Sequence, residues 1–136
     1  MFRKLDEQVS VAGQIRPDDI AEAKAQGFAA IVNNRPEGEE EGQPGGAEIE
    51  AAAKAAGLDY RVIPVDHSGF SESQIEQMQA ALESANGPLL AFCRSGTRST
   101  YLWALARSRM GDEGVSLAAK AAAQGYDLTP LRPRIG

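Results

Sequence analysis

Apolar positions along this chain fall into short runs that alternate with stretches at helical spacing. Pro88-Leu89-Leu90-Ala91-Phe92 is an apolar run of strand length. Behind it, Ser99 to Met110 places Leu102, Leu105 and Ala106 on one side, which predicts a helix. Upstream, Gln8 to Ala12 alternates and stops at Gly13, predicting a short edge strand. Pro17-Asp18-Asp19 suits a helix start, with proline in the first turn and acids at the positive end; that helix runs to Gln26 and stops at Gly27. Phe28 to Val32 predicts a buried strand, closed by Asn33-Asn34-Arg35-Pro36.

Glu37 to Gly46 shows no periodicity and is rich in glutamate and glycine, so an exposed loop with solvated acids is expected. Ala47 to Ala56 reads as a helix ending at Gly57, and Tyr60 to Val65 as a strand followed by the loop Asp66-His67-Ser68-Gly69. Ser71-Glu72-Ser73-Gln74 is a capping box for a helix reaching Ala85, and Asn86-Gly87 turns into the run at Pro88. Gly114 to Gln124 predicts a last helix, and Tyr126 to Gly136 a tail packed across the surface. Strands and helices alternate throughout. The expectation is one α/β domain over residues 1–136, with a mostly parallel central sheet and helices on both faces.

That architecture changes how the only cysteine is read. Cys93 follows the strand Pro88–Phe92 and opens the turn Cys93-Arg94-Ser95-Gly96-Thr97-Arg98-Ser99. Ligands of parallel sheets bind beyond the carboxyl ends of strands, which is where this turn falls. Backbone N–H groups of Ser95, Gly96 and Thr97 can converge on one point, and the helix behind turns its positive end toward it. With Arg94 and Arg98 alongside, the surroundings favour a thiolate nucleophile over a small buried hydrophobe. The substrate expected is a small anion.

Composition narrows the field further. The chain has 136 residues, a net charge of −5, one Cys and one His. Nucleic acid is not an expected partner, and anion binding must come from a local pocket. One cysteine excludes an internal disulfide and a Cys-x-x-Cys pair, and no metal centre or cofactor is expected. Met1 to Asp6 lacks the apolar core of a signal peptide and no stretch has membrane-span length, so a cytoplasmic protein without membrane association is expected.

Val11-Ala12-Gly13-Gln14, Asn33-Asn34-Arg35-Pro36 with Glu37, Ile63-Pro64-Val65 and the cysteine turn occur in the order seen in the beta-lactamase-hydrolase-like phosphatase/sulfurtransferase family, which the chain resembles over residues 4 to 130. The resemblance implies a protein-tyrosine/dual-specificity-phosphatase-like fold with the cysteine loop as active site, and either phosphatase or sulfurtransferase activity. Tyrosine-phosphatase loops hold one residue more between cysteine and arginine than the four found here. The shorter loop is similar to that of single-cysteine rhodaneses. A smaller ring of N–H groups fits a persulfide or the outer sulfur of thiosulfate better than a phosphomonoester.

Two reactions follow. In sulfur transfer, Cys93 takes sulfane sulfur from thiosulfate or a persulfide and passes it to a thiol acceptor, with Arg94 and Arg98 holding the anion. In phosphate-ester hydrolysis, Cys93 forms a phosphocysteine, Arg98 steadies the oxygens, and Asp66 protonates the leaving group. Sulfur transfer is the expected reaction and phosphatase activity the alternative. Asp66 is read as either that acid or a loop cap, with His67 beside it. Ser99 is either a hydrogen-bond donor to the thiolate or an N-cap. Arg94 points into the pocket or away from it, Arg35 and Glu37 could border the same crevice, and Trp103 is expected in the core or under the loop.

Overall fold

The computed structural model describes residues 2–136. Five strands form one sheet: β1 (Arg3–Lys4), β2 (Val9–Ala12), β3 (Ala30–Asn33), β4 (Asp59–Val62) and β5 (Leu89–Phe92). Their order is β1-β2-β5-β3-β4, with β1 antiparallel and the other four mutually parallel. The helices are α1 (Asp19–Ala25), α2 (Gly46–Ala55), α3 (Glu72–Ser84), α4 (Thr97–Arg109), α5 (Gly114–Ala123) and α6 (Arg132–Ile135), with a 3₁₀ turn at Thr129–Leu131.

Strand alternation divides the core between the two faces of the sheet. Val9, Val11, Ala30, Val32, Leu89 and Ala91 face α3, α4 and α5 and pack with Met78, Leu102, Trp103 and Leu117. Ala12, Ile31, Leu90 and Phe92 face α1 and α2 and pack with Ile20, Ala23, Ile49 and Ala53. Trp103 is fully buried, and its indole N–H donates to Asp6 at 2.9 Å. Asp6 also accepts from the N–H groups of Gln8 and Val9, tying the entry of β2 to α4.

Several expectations shift. The segment Gln8–Ala12 is not at the edge: β1 pairs with β2 through Arg3↔Val11 and Lys4↔Ser10, which puts β2 inside the sheet. A two-residue strand carries no periodicity from which it could be read. Helix α4 begins at Thr97 rather than Ser99, with Gly96 as its N-cap. The segment from Tyr126 onward is not plain tail; it holds the 3₁₀ turn and α6, and buries Leu128, Leu131 and Ile135. No helix among the described residues is long and apolar enough to cross a membrane.

Candidate active site

Strand β5 lies between β2 and β3, so its carboxyl end opens at the middle of the sheet. Cys93 is the next residue, and its N–H donates to the Ala12 carbonyl at the end of β2 (3.3 Å). The cysteine is 0 % exposed, yet it sits at the N-terminus of α4 and accepts the Gly96 N–H at Sγ (3.1 Å). Gly96 has φ +91°, a backbone conformation that any other L-residue strains to adopt.

The Arg94 and Ser95 carbonyls are held from outside the turn, and the Gly96 carbonyl by the first turn of α4 itself. The Arg94 carbonyl accepts from the Gln14 N–H (3.3 Å), the Ser95 carbonyl from the Tyr126 hydroxyl (3.1 Å), and the Gly96 carbonyl from the Thr100 hydroxyl (2.8 Å) and N–H (2.9 Å). A trans peptide sends its N–H opposite to its C=O. Outward carbonyls at 94 and 95 therefore turn the N–H groups of Ser95 and Gly96 inward, and Thr97 adds a first-turn N–H of α4, an arrangement able to cradle an anion. Gly13 lets β2's end approach this turn: a Cβ there would lie 3.0 Å from the Arg94 carbonyl oxygen.

Arg98 reaches across the mouth of the turn. One terminal nitrogen donates to Glu39 Oε2 (2.8 Å) and the Val65 carbonyl (2.6 Å), and the other donates to Glu39 Oε1 (2.9 Å). Its pKa is raised, chiefly by the Glu39 hydrogen bonds, against the opposing effect of burial, with Cys93 also favouring the cation. Glu39 also accepts from Arg35 Nε (2.9 Å). The Arg98 hydrogen bond draws the Glu39 pKa down to about 2, with Arg35 adding to the effect against burial. Arg35 itself is 2 % exposed and donates to Gln14 Oε1 (2.9 Å) and Glu40 Oε1 (3.1 Å) as well.

The other sequence-derived residues fall into place around this centre. Arg94 points outward, its guanidinium mostly exposed and 3.2 Å from Glu40. The Ser95 and Thr97 hydroxyls bond each other at 3.2 Å near the surface. Ser99 is buried inside the first turn of α4, so it is not the N-cap. Its one proton goes to Asn34 Oδ1 (2.8 Å), which leaves no donor for the sulfur. Asn34 in turn donates to the Ile63 carbonyl, binding the ends of β3 and β4 to α4.

Asp66 lies in the exposed loop after Val65 and folds back on itself. One oxygen accepts from the Ser68 hydroxyl (2.6 Å) and N–H (2.8 Å), and these bonds, the hydroxyl first, hold its pKa below the ordinary carboxylate value. His67 beside it is exposed. Glu37 does not join the arginine cluster; both its oxygens accept from the Gly46 N–H (3.0 and 3.1 Å) at the start of α2.

Two participants escape the sequence reading. Glu39 stands among residues expected to be solvated acids, and Tyr126 in a segment expected only to cover the surface. Both meet the turn across long sequence separations, 59 residues for Glu39–Arg98 and 31 for Tyr126–Ser95. No local pattern could pair them. Among the described residues, no group of three or more His, Cys, Asp or Glu side chains is arranged to hold a metal ion.

With a strand-end cysteine and an arginine flanking the start of a helix, the fold is of the tyrosine- and dual-specificity-phosphatase-like type. The chain belongs to the family described as beta-lactamase hydrolase-like protein, phosphatase-like domain, whose model matches residues 1–110. It is 41% identical over 108 residues to a beta-lactamase hydrolase-like protein of Agrobacterium fabrum, covering 79% of this chain and 25% of that protein. A protein of the same description from Xylella fastidiosa is 36% identical over 127 residues, covering 91% and 29%. The chain thus spans between a quarter and a third of the curated relatives' length.

Among solved structures, a candidate phosphatase from Neisseria meningitidis superposes with a TM-score of 0.85 at 31% identity, covering 98% of this chain and 95% of that one. PTPMT1 shares the fold at a TM-score of 0.76 and 13% identity, covering 99% and 92%.

Proposed function

We propose that the chain is a cysteine-dependent sulfurtransferase. The Cys93 thiolate attacks the outer sulfur of thiosulfate, a new S–S bond forms, and sulfite departs with the electrons of the broken bond. Cys93 is left as a persulfide. An acceptor thiolate then attacks the terminal sulfur, and the Cys93 thiolate leaves. The N–H groups of the turn and Arg98 hold the anion, and Arg94 adds positive charge at the rim.

The observation that carries this reading is the spacing of four residues between Cys93 and Arg98, one fewer than in a tyrosine-phosphatase loop, which leaves a tighter ring of N–H groups suited to a terminal sulfur. Asp66, the carboxyl that would protonate a leaving oxygen, is turned onto the Ser68 hydroxyl and N–H, and Glu39 is turned onto Arg98 and Arg35. A phosphatase of this class needs such an acid; sulfite and thiolates leave without one.

A second reading, phosphate-ester hydrolysis through a Cys93 phosphocysteine, has its own support. The matching family model is described as phosphatase-like and the Neisseria neighbour as a candidate phosphatase, so the comparisons favour it over sulfur transfer. A shared fold leaves the reaction to the site, however.

Thiosulfate:cyanide sulfur transfer and aryl-phosphate hydrolysis measured on one preparation decide between them. Sulfur transfer predicts turnover with thiosulfate that Asp66→Asn leaves within a few-fold, and slow ester hydrolysis by both proteins. Efficient ester hydrolysis that falls about 10²–10⁴-fold in Asp66→Asn would establish the phosphatase instead.

A further inference from the structure

We infer that Tyr126 is a positioning residue for the cysteine turn: its hydroxyl latches the Ser95–Gly96 peptide in the orientation that aims the Gly96 N–H at Cys93 Sγ. The Ser95 carbonyl and the Gly96 N–H belong to one planar peptide unit, so fixing one end fixes the other. Tyr126 holds the oxygen from outside at 3.1 Å, and the sulfur accepts the N–H on the inside at 3.1 Å.

Such a latch has work to do at this peptide in particular. Rotating it changes φ of residue 96, and glycine occupies both signs of φ with little penalty. The flipped form would present a carbonyl oxygen to a thiolate in place of a donor. The neighbouring peptides are restrained by Gln14 and Thr100, inside the region the family model matches; Tyr126 lies beyond it.

The tyrosine is itself well fixed. Its ring occupies the space over Gly96, where a Cβ would collide with the phenol oxygen. The Arg3 guanidinium lies 5.6 Å from its ring centroid, and Arg3 also donates to the Gln124 carbonyl at 2.6 Å. Burial raises its pKa, against the opposing charge of Arg3 and with Cys93 adding to the rise, so it is a protonated donor at neutral pH. Arg3 of β1 thus backs the tyrosine that reaches the cysteine turn.

The inference rests on Cys93 being the nucleophile and is independent of whether sulfur or phosphoryl is transferred. Tyr126→Phe removes the hydroxyl and keeps the ring, which is only half-buried, so the variant is expected to fold. Hydrogen exchange at the Gly96 amide should quicken about three- to tenfold, the size of one net hydrogen bond. The kcat should fall by a similar factor, while exchange within α4 and the melting temperature stay close to wild type.

Unchanged Gly96 exchange and unchanged kcat would overturn the latch. So would a fall in kcat accompanied by the same loss of protection throughout α4, or a Tyr126→Leu variant impaired while Tyr126→Phe matches wild type, since each assigns the residue to packing alone. Faster Gly96 exchange in a chain whose wild type transfers no sulfur would keep the latch and remove only the proposed reaction.

Discussion

Both carboxylate oxygens of Glu39 accept from guanidinium groups, and its side chain is about four-fifths buried. Its pKa near 2 lies below the ordinary 4.5, so its ionised form stabilises the fold. That contribution is complete above pH 4.5 and is lost as the pH falls toward 2. Glu39→Gln keeps the shape and removes the charge, leaving Arg98 and Arg35 with a weaker acceptor. The expected cost is about 1–3 kcal/mol near neutral pH. Urea melts at pH 6 and pH 3 check this: the gap between wild type and Glu39→Gln should be wide at pH 6 and narrower at pH 3. An equal gap at both would show that the charge is not what stabilises. Nothing local distinguishes Glu39 from Glu37, Glu40 or Glu41 in the sequence; only the folded chain brings Arg98 to it, whereas Cys93 and Arg98 share one turn and were legible together.

At the scale of elements, the cysteine turn and the start of α3 answer differently to substitution. Gly96→Ala must hold φ near +91° with a Cβ and displace the Tyr126 hydroxyl. The conformational part alone costs roughly 1–2 kcal/mol, and whichever turnover the Cys93 thiol supports in the paired assay should be almost abolished, because the N–H bonded to Sγ moves. Ser71 completes a capping box with Gln74 at the start of α3, remote from the turn. Ser71→Ala should lower stability by about 1 kcal/mol in the same denaturation assay and leave kcat as it was. Both elements were readable because their signals are local: Ser-x-x-Gln for the cap, and an apolar run followed by Cys, Gly and Arg for the turn. Strand β1 was not, since Arg3–Lys4 is too short to show a period. Without it, β2 reads as an edge.

The whole molecule depends on residues beyond the cysteine turn. Leu128, Leu131 and Ile135 are each at most 5 % exposed and join the core against α4 and α5. Gly114, the first residue of α5, packs so closely on the Ile135 carbonyl that a Cβ would not fit. Burial of three such side chains is worth roughly 1.5–3 kcal/mol each at the upper bound, against a typical total stability of about 5–15 kcal/mol. A chain cut after Gly125 should therefore lose its near-ultraviolet circular dichroism and cooperative melt, although it retains Cys93, Arg98 and Glu39. A sharp two-state melt of the shortened chain would show that this segment only decorates the fold. The α/β alternation announced a mostly parallel sheet, but the order β1-β2-β5-β3-β4 depends on pairings between distant strands that no run of residues encodes by itself.

That strand order leaves two rims of the sheet unpaired, and their composition governs how copies of the chain meet. An open rim is a template for adding a strand from another molecule. One rim here is β1, two residues long, with Arg3 and Lys4 both exposed and cationic. The other is β4, where Arg61 is drawn across to the Ser84 hydroxyl at 2.7 Å and Asp59 opens the strand. Pro64 follows two residues later and offers no N–H. Shortness, charge and proline blunt both rims, so edge-to-edge self-association and the aggregation that follows from it are disfavoured, even though Val62 leaves one apolar side chain in solvent.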